Sequence, residues 1–169
     1  MSQLAPDDGR RAMAFADPDD PSLTHLAVVG DTYTILLSGE DTDGRYALID
    51  MLIPAGGGPP PHRHAFEEMF HVLEGAVEVT VRDVTSTARA GETVNIPANA
   101  PHAFRNPTER TIRMLCMVSP AGLERYFAEF GDRVATRTSA PPELSERERA
   151  ERMQRAVASA EHYGMEILL

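Results

Sequence analysis

The chain has 169 residues, of which 42% are hydrophobic, and this length supports one ordinary hydrophobic core rather than two. Acidic residues outnumber basic ones by 26 to 16, and the net charge of -10 argues against nucleic acids and anionic membrane surfaces as partners. The single cysteine, Cys116, cannot form an internal disulfide, and no segment has the length and apolar character of a membrane span. We therefore expect a cytoplasmic protein in which Cys116 is a small buried side chain.

Residues 1–24 are rich in aspartate, proline and glycine, which indicates turns and linkers rather than core. From residue 25 onward the chain consists of short β-favouring runs, from "LAVV" to "TIRMLCMV", separated by glycine, aspartate and proline. In "AVEVTVRDV" valines alternate with polar residues, which predicts a strand with one buried face. Many short strands without helices between them predict a sandwich or a barrel.

After Ser119 the pattern becomes helical. Ser119 is a candidate N-cap, Pro120 suits the first helical position, and Gly131 is a candidate stop. A second helix is predicted in "ELSERERAERMQRAVASAEHY", closed by Gly164. Its predicted apolar stripe consists of Ala150, Met153, Val157 and Ala160. The apolar "MEILL" that follows is expected to dock against the rest of the protein.

The predicted organisation is therefore an N-terminal extension (1–24), an all-β barrel (25–119) and a C-terminal helical extension (120–169). Three of the six histidines fall in the stretch "PPPHRHAFEEMFHVLEG" inside the barrel. This concentration indicates either a strand that happens to be polar or a metal site.

The parity of these residues is compatible with a metal site, although a histidine pair on a strand is by itself weak evidence for one. His62 and His64 are two residues apart, so both imidazoles project from the same face of a strand, and Glu68 keeps that parity. His102 follows a run of turn residues in "GETVNIPANAPHAFRN". Three imidazoles and one carboxylate make a typical ligand set for a transition metal.

These two stretches resemble the two conserved motifs of the cupin family. The fixed positions of the first motif are occupied by Gly56, His62, His64, Glu68 and Gly75. Those of the second motif are occupied by Gly91, Pro97, His102 and Asn106. Asn99 stands where the family usually has glycine, and we expect it at positive φ, which asparagine tolerates. The segments "SPAGLERYFAEFG" and "YGMEILL" resemble the tail of small bacterial single-domain cupins related to quercetinase-like proteins.

The resemblance implies an all-β fold, the double-stranded β-helix or jelly-roll barrel of cupins, with C-terminal α-helices. It also implies one divalent transition-metal ion (Fe, Mn, Ni, Co, Cu or Zn) bound by His62, His64, Glu68 and His102. Glu68 is the candidate catalytic base. By the same parity Phe70, Val72 and Phe104 are predicted to line a substrate pocket, unless they only fill the barrel. His71 and Glu67 have odd parity and are expected to face away.

Two classes of function remain from the sequence. The first is an enzyme, favoured by an open metal site in an apolar pocket: a dioxygenase-like oxidoreductase acting on a small organic substrate, or a non-oxidative isomerase, cyclase or decarboxylase. The second is a non-catalytic protein that binds a small molecule. Neither end carries a basic helix-turn-helix, which argues against DNA contact. Barrel edges need covering, and because the family usually covers them in a homodimer, the resemblance implies a homodimer here.

Overall fold

The computed structural model describes residues 4–168 and contains two antiparallel sheets. The strands are β1 (Thr24–Val28), β2 (Asp31–Leu37), β3 (Ala47–Ile53), β4 (His62–His64), β5 (Glu67–Glu74), β6 (Ala76–Val81), β7 (Val84–Arg89), β8 (Thr93–Ile96), β9 (His102–Arg105), β10 (Ile112–Ser119), β11 (Asp132–Val134) and β12 (Met165–Ile167). The helices are α1 (Gly39–Thr42), α2 (Leu123–Phe130) and α3 (Glu146–Ala160), and a single 3-10 turn covers Glu161–Tyr163.

The strand order explains how distant parts of the sequence meet. The larger sheet has the order β11-β1-β2-β3-β10-β5-β8, and the smaller sheet has the order β12-β4-β9-β6-β7. Each pairing is antiparallel, and neighbours such as β3 and β10 are far apart in sequence. This arrangement confirms the predicted all-β jelly-roll fold with C-terminal helices.

The hydrophobic core lies between the two sheets. Along β10, buried and partly exposed residues alternate, so that Met114, Cys116 and Val118 point inward. On β5, Phe70 and Val72 are completely buried by the same alternation. The period of two seen in the sequence therefore places one face of each strand in a common core.

One strand of the smaller sheet was not predicted as a separate element. The valine alternation ends at Val81, where β6 also ends, and a turn leads into β7 at Val84. Arg82 in this turn adopts positive φ (56°). β7 has the composition "VTSTAR" and lies at the edge of the sheet, mostly exposed. Because an edge strand buries little, it carries no apolar alternation that the sequence could reveal.

The predicted start of the first C-terminal helix was wrong. Ser119 is the last residue of β10, and its hydroxyl donates a hydrogen bond to the backbone oxygen of Arg45 (2.8 Å). The N-cap of α2 is Gly122 instead. The predicted end is confirmed, since the N–H of Gly131 donates to the backbone oxygen of Phe127 (2.8 Å).

The second predicted helix is confirmed as α3, but its buried face is rotated. Ser145 and Glu148 form a capping box at its start. Ala160 is buried as predicted and Ala156 is buried in addition, whereas Ala150 is exposed and Val157 is 41% exposed. The reason is that α3 packs on α2, where the hydroxyl of Tyr126 donates to the backbone oxygen of Ala156 (3.0 Å).

The C-terminal run "MEILL" docks as predicted, apart from Leu169, which lies outside the described residues. Gly164 adopts the left-handed conformation (φ 68°) and turns the chain into β12. This strand pairs with β4, with Met165 opposite His64 and Ile167 opposite His62. The segment 120–169 therefore contributes a strand to each sheet, β11 to the larger and β12 to the smaller.

Between residues 4 and 168, none of the helices is both long enough and apolar enough to cross a lipid bilayer. The cytoplasmic location, the homodimer and the three segment boundaries stay predictions.

Candidate metal centre

The four ligands predicted from the sequence lie together inside the barrel. One candidate ligand atom from each of His62, His64, Glu68 and His102 lies within 4.8 Å of the others, and all four residues are buried. The relative exposure of these side chains is 7% or less. Groups of this polarity are rarely buried unless they are paired or bind a metal.

Backbone pairing brings these side chains together. β4 and β9 are neighbours in the smaller sheet, and His62 lies directly opposite His102. His62 and His64 alternate with the exposed Arg63, so both rings project into the barrel. Glu68 comes from β5 in the larger sheet and faces them across the core. The ligands thus span both sheets, which explains why only a closed fold assembles the cluster.

Each of the three histidines has its orientation fixed in the same way. The Nδ1 atoms of His62, His64 and His102 lie 2.9 Å from the backbone oxygens of Pro60, Phe66 and Ala100, respectively. A carbonyl oxygen only accepts hydrogen bonds, so Nδ1 must carry the proton in each ring. In the neutral form this leaves a lone pair on each Nε2 atom, the tautomer required for ligating a metal through Nε2.

The resulting group of atoms needs a cation. Oε2 of Glu68 lies 3.2 Å from Nε2 of His64 and 3.1 Å from Nε2 of His102. With protons on Nδ1 and neutral rings, both nitrogens and the carboxylate oxygen are acceptors facing one another. A divalent ion would satisfy all of them, and imidazole with carboxylate suits a first-row transition metal. The side chains therefore fit the metal that the sequence implies.

Without an ion, the same contacts stabilise the carboxylate when the rings of His64 and His102 carry a second proton and donate to it through Nε2. In that state burial tends to raise the pKa of Glu68, but the hydrogen bonds from His102 and His64 outweigh that effect and hold the pKa well below its usual range. Burial, followed by the nearby His102, lowers the pKa of His62 from 6.5 to about 4. At neutral pH the site therefore contains an ionised carboxylate beside an uncharged His62.

Cys116 belongs to this centre, although the sequence predicted only that it would be buried. It is fully buried on β10, and its thiol donates to Oε1 of Glu68 with a distance of 3.3 Å. Burial and the charge of Glu68 raise the pKa of Cys116 well above its usual value, so the thiol keeps its proton. The inward parity of Cys116 in "MLCMV" was the signal that could have placed it at the site.

A cavity of about 60 Å³ adjoins the cluster. His62 and Glu68 line it together with Phe104, and α2 and α3 supply further apolar walls through Tyr126 and Ala156. The sequence does not predict these helical walls, because its pattern places the helices in an extension outside the barrel. The cavity is therefore largely apolar, with a few polar groups at one side.

The three predicted pocket residues occupy different places. Phe104 lines the cavity, whereas Phe70 and Val72 do not. Phe70 is completely buried and packs edge-on against Phe104, with ring centroids 5.2 Å apart. Strand parity correctly predicts that Phe70, Val72 and Phe104 all point inward. Packing between the sheets, however, encloses Phe70 and Val72 in the core, away from the cavity.

The residues predicted to face away from the cluster do so. His71 is partly exposed, and its Nδ1 lies 2.9 Å from the hydroxyl oxygen of Thr93. Glu67 is exposed and accepts hydrogen bonds from the amide of Asn95 and the N–H of Ala98 (3.1 Å each). Asn99 adopts positive φ (65°), as predicted.

Comparison with known proteins agrees with this geometry. Residues 49–118 match the family model described as "Cupin domain". Quercetin 2,3-dioxygenase of Bacillus subtilis is 26% identical over 101 residues, which is 59% of this chain but only 30% of that protein. The polyketide cyclase RemF from Streptomyces resistomycificus has a TM-score of 0.56 at 23% identity, with 80% of this chain and 89% of the cyclase covered.

A predicted oxalate decarboxylase from Thermotoga maritima has a TM-score of 0.57 at 16% identity, with 63% of this chain and 98% of that chain covered. At such identities, the two structural similarities concern the fold alone. Residues 49–118 therefore match a cupin domain, and the two structural similarities agree with a cupin fold for the two sheets.

Proposed function

We propose that this protein is a metal-dependent enzyme that binds one divalent transition-metal ion and acts on a small organic substrate. His62, His64, Glu68 and His102 would hold the ion. The observation that carries the proposal is that this buried set of acceptor atoms adjoins an apolar cavity, through His62 and Glu68. When bound, the ion would supply Lewis acidity and, if it is redox-active, electron transfer.

The reaction class that we propose is that of a dioxygenase-like oxidoreductase. Support comes from the 26% identity to a protein named quercetin 2,3-dioxygenase, although the matched part is 30% of that protein. The cavity walls from β9 and α2 are apolar, and excluding water from such a site protects reactive species from hydrolysis and side reactions. The fixed rings of His64 and His102 keep their Nε2 lone pairs free for the metal.

The cavity limits the substrate. Pockets for drug-sized molecules measure roughly 300 to 1,000 Å³. The cavity here measures about 60 Å³, so a molecule the size of a flavonol requires α2 or α3 to move. A substrate with only a few heavy atoms fits without that motion. We therefore infer that small hydroxy acids, enols and diketones belong in the substrate screen beside flavonols and catechols.

A second candidate is a non-oxidative isomerase, cyclase or decarboxylase. One observation favours it: the cavity is also lined by Asp31, a second buried carboxyl group outside the cluster of four ligands. Two carboxyl groups in different environments can divide metal binding and proton transfer between them. Such proton chemistry needs no dioxygen.

The test combines metal content with oxygen uptake. Protein purified without added metal would be loaded separately with Fe(II), Mn(II), Ni(II), Co(II), Cu(II) or Zn(II), and each form given the substrate panel in an oxygen electrode. A dioxygenase consumes dioxygen with the substrate in a redox-active form and is inactive with Zn(II). Turnover without oxygen uptake, also with Zn(II), would support the non-oxidative candidate. Tight binding of a panel member without turnover in any form would support a binding protein instead.

A further inference from the structure

Asp31 is a buried carboxyl group in which one of the two oxygens has no hydrogen-bond partner among the described residues. It is the first residue of β2 and is 1% exposed. Its Oδ2 accepts a hydrogen bond from the hydroxyl of Tyr33 (2.9 Å). Within residues 4–168, Oδ1 has no hydrogen-bond partner. A buried polar atom without a partner is costly and needs an explanation.

The other buried oxygen of this kind has a different environment. Asp50 also has an unpaired Oδ1, but its Oδ2 binds Nε and Nη2 of Arg113 (2.9 and 2.7 Å). In addition, Nη1 of Arg137 lies 3.9 Å from Oδ1 of Asp50. Two guanidinium groups therefore compensate the charge of Asp50. Asp31 has only the hydroxyl of Tyr33, which is neutral.

The surroundings of Asp31 keep its carboxyl group poised to accept a proton. Burial raises the pKa of Asp31 from 3.8 to about 7, and the hydrogen bond from Tyr33 opposes only part of this rise. Tyr33 itself is fully buried, and burial together with the charge of Asp31 raises its pKa well above 10. Tyr33 therefore stays a neutral donor that keeps Oδ2 occupied.

The position of Asp31 connects it to the metal centre. Asp31 and Tyr33 line the same cavity as His62 and Glu68. Next to Oδ1 the chain approaches closely, because a Cβ atom added to Gly57 would lie 2.5 Å from this oxygen. Because Gly57 has no side chain, it leaves room for the carboxyl group of Asp31 and provides no side-chain hydrogen-bond donor to it. A molecule bound in the cavity could supply a hydrogen-bond donor to Asp31.

The remaining titratable groups around the cavity come from other elements. They are His62 on β4, Glu68 on β5 and Tyr126 on α2. Burial raises the pKa of Tyr126 to about 12, and its hydroxyl donates to the backbone oxygen of Ala156. His62 and Glu68 belong to the ligand cluster. Asp31 is therefore the carboxyl group lining the cavity that does not belong to the ligand cluster.

We propose that Asp31 is a substrate-binding and acid–base residue, whose Oδ1 accepts a hydrogen bond and then the proton from a hydroxyl or enol group of the substrate. The proton leaves the substrate oxygen, which keeps the electron pair of the O–H bond, and Asp31 becomes a neutral carboxylic acid. The inference rests on the proposed function, because the substrate is placed beside the metal cluster. It also narrows the class of substrate, because the substrate must carry an O–H donor near its metal-binding group.

The test uses two small probes, glycolate and acetate, with the Zn(II)-loaded protein, in which redox turnover cannot occur. Both probes offer a carboxylate to the metal, but only glycolate offers a hydroxyl donor. A hydrogen bond to a charged acceptor predicts a preference for glycolate of about 10-fold or more by calorimetry at about pH 8, above the pKa of Asp31.

In Asp31→Asn the amide oxygen is expected to accept from Tyr33, so that the amide NH₂ faces the hydroxyl donor of glycolate. The ratio of the two affinities should then fall to within about threefold. Asp83→Asn makes the same chemical change in the exposed turn after β6 and should leave the ratio unchanged.

Infrared difference spectra test the proton transfer directly. When glycolate binds at about pH 8, above the pKa of Asp31, a carbonyl band of a protonated carboxylic acid should appear in the unsubstituted protein and in Asp83→Asn, but not in Asp31→Asn. An unchanged affinity ratio and an unchanged band in Asp31→Asn would refute the role of Asp31. Acetate binding without a preference for glycolate in the unsubstituted protein would refute it as well. Failure of that protein to bind Zn(II) at all would overturn the proposed function itself.

Discussion

The thiol of Cys116 donates a hydrogen bond to Oε1 of Glu68, with Sγ 3.3 Å from the oxygen. The other carboxylate oxygen, Oε2, faces His64 and His102. The thiol therefore occupies the side of the carboxylate away from these two imidazoles and orients the group. Partners of metal ligands typically change metal affinity by about 10- to 100-fold.

Replacing Cys116 tests this orienting contact. Cys116→Val keeps an apolar side chain of similar size but removes the donor, and we expect the affinity for Zn(II) or Co(II) to fall by about 10-fold. Cys116→Ser keeps a donor and should stay within about threefold of the unsubstituted protein. Competition with a chelator of known affinity measures both. Equal affinities for the two variants would show that the thiol only fills space.

The histidine cluster predicts the metal stoichiometry. His64→Ala removes a ligand whose ring is already fixed by the backbone oxygen of Phe66 (2.9 Å), so metal content should drop sharply while the barrel still folds. His71→Ala is the matched control, because His71 lies on β5 outside the cluster. Elemental analysis and circular dichroism check content and folding. Full stoichiometry in His64→Ala would refute the assignment.

The four ligands could be located from the sequence because two stretches of it resemble the cupin motifs, and strand parity agrees with this for His62, His64 and Glu68. His62 and His64 face inward together, and Glu68 and His102 join them once the sheets close. The left-handed conformation of Asn99 was also predictable, since the family has glycine at that position.

Other features depend on contacts that no local pattern records. The buried face of α3 is set by its packing on Tyr126 rather than by its own apolar stripe. The importance of Asp31 depends on what surrounds it, because an aspartate at the start of a strand is normally a turn residue. Its unpaired oxygen and the cavity beside it arise only when β2, β4 and α2 have come together.

Asn99 tests the turn that precedes His102. Its φ is 65°, and its N–H donates to the backbone oxygen of His64 (2.7 Å), so this turn also supports a metal ligand. Asn99→Gly should leave the free energy of unfolding nearly unchanged. Asn99→Val should lower it by about 1 to 3 kcal/mol, because a β-branched residue is strained at positive φ. Chemical denaturation measures both, and equal stabilities would contradict the strain argument.

The raised pKa of Asp31 predicts that its carboxyl group lowers the free energy of unfolding at neutral and higher pH, while the same group serves substrate binding. Its pKa rises from 3.8 to about 7 on folding, so the folded protein binds this proton more tightly than the unfolded chain does. The free energy of unfolding should therefore decrease as the pH rises from about 4 to about 7 and stay lower above that range. Asp31→Asn removes this penalty. Relative to the unsubstituted protein, its stability should increase across the same interval, by at most about 4 kcal/mol above pH 7.

Denaturation in urea at several pH values measures that difference, with metal-free protein in all samples so that binding does not contribute. Asp83→Asn is the control, since this exposed turn residue should show no comparable trend. A variant that is more stable yet loses the preference for glycolate would support the view that Asp31 is kept for the substrate rather than for the fold. If Asp31→Asn were instead less stable than the unsubstituted protein above pH 7, the carboxyl group would have a structural role. Its unpaired oxygen would then not indicate a substrate-binding function.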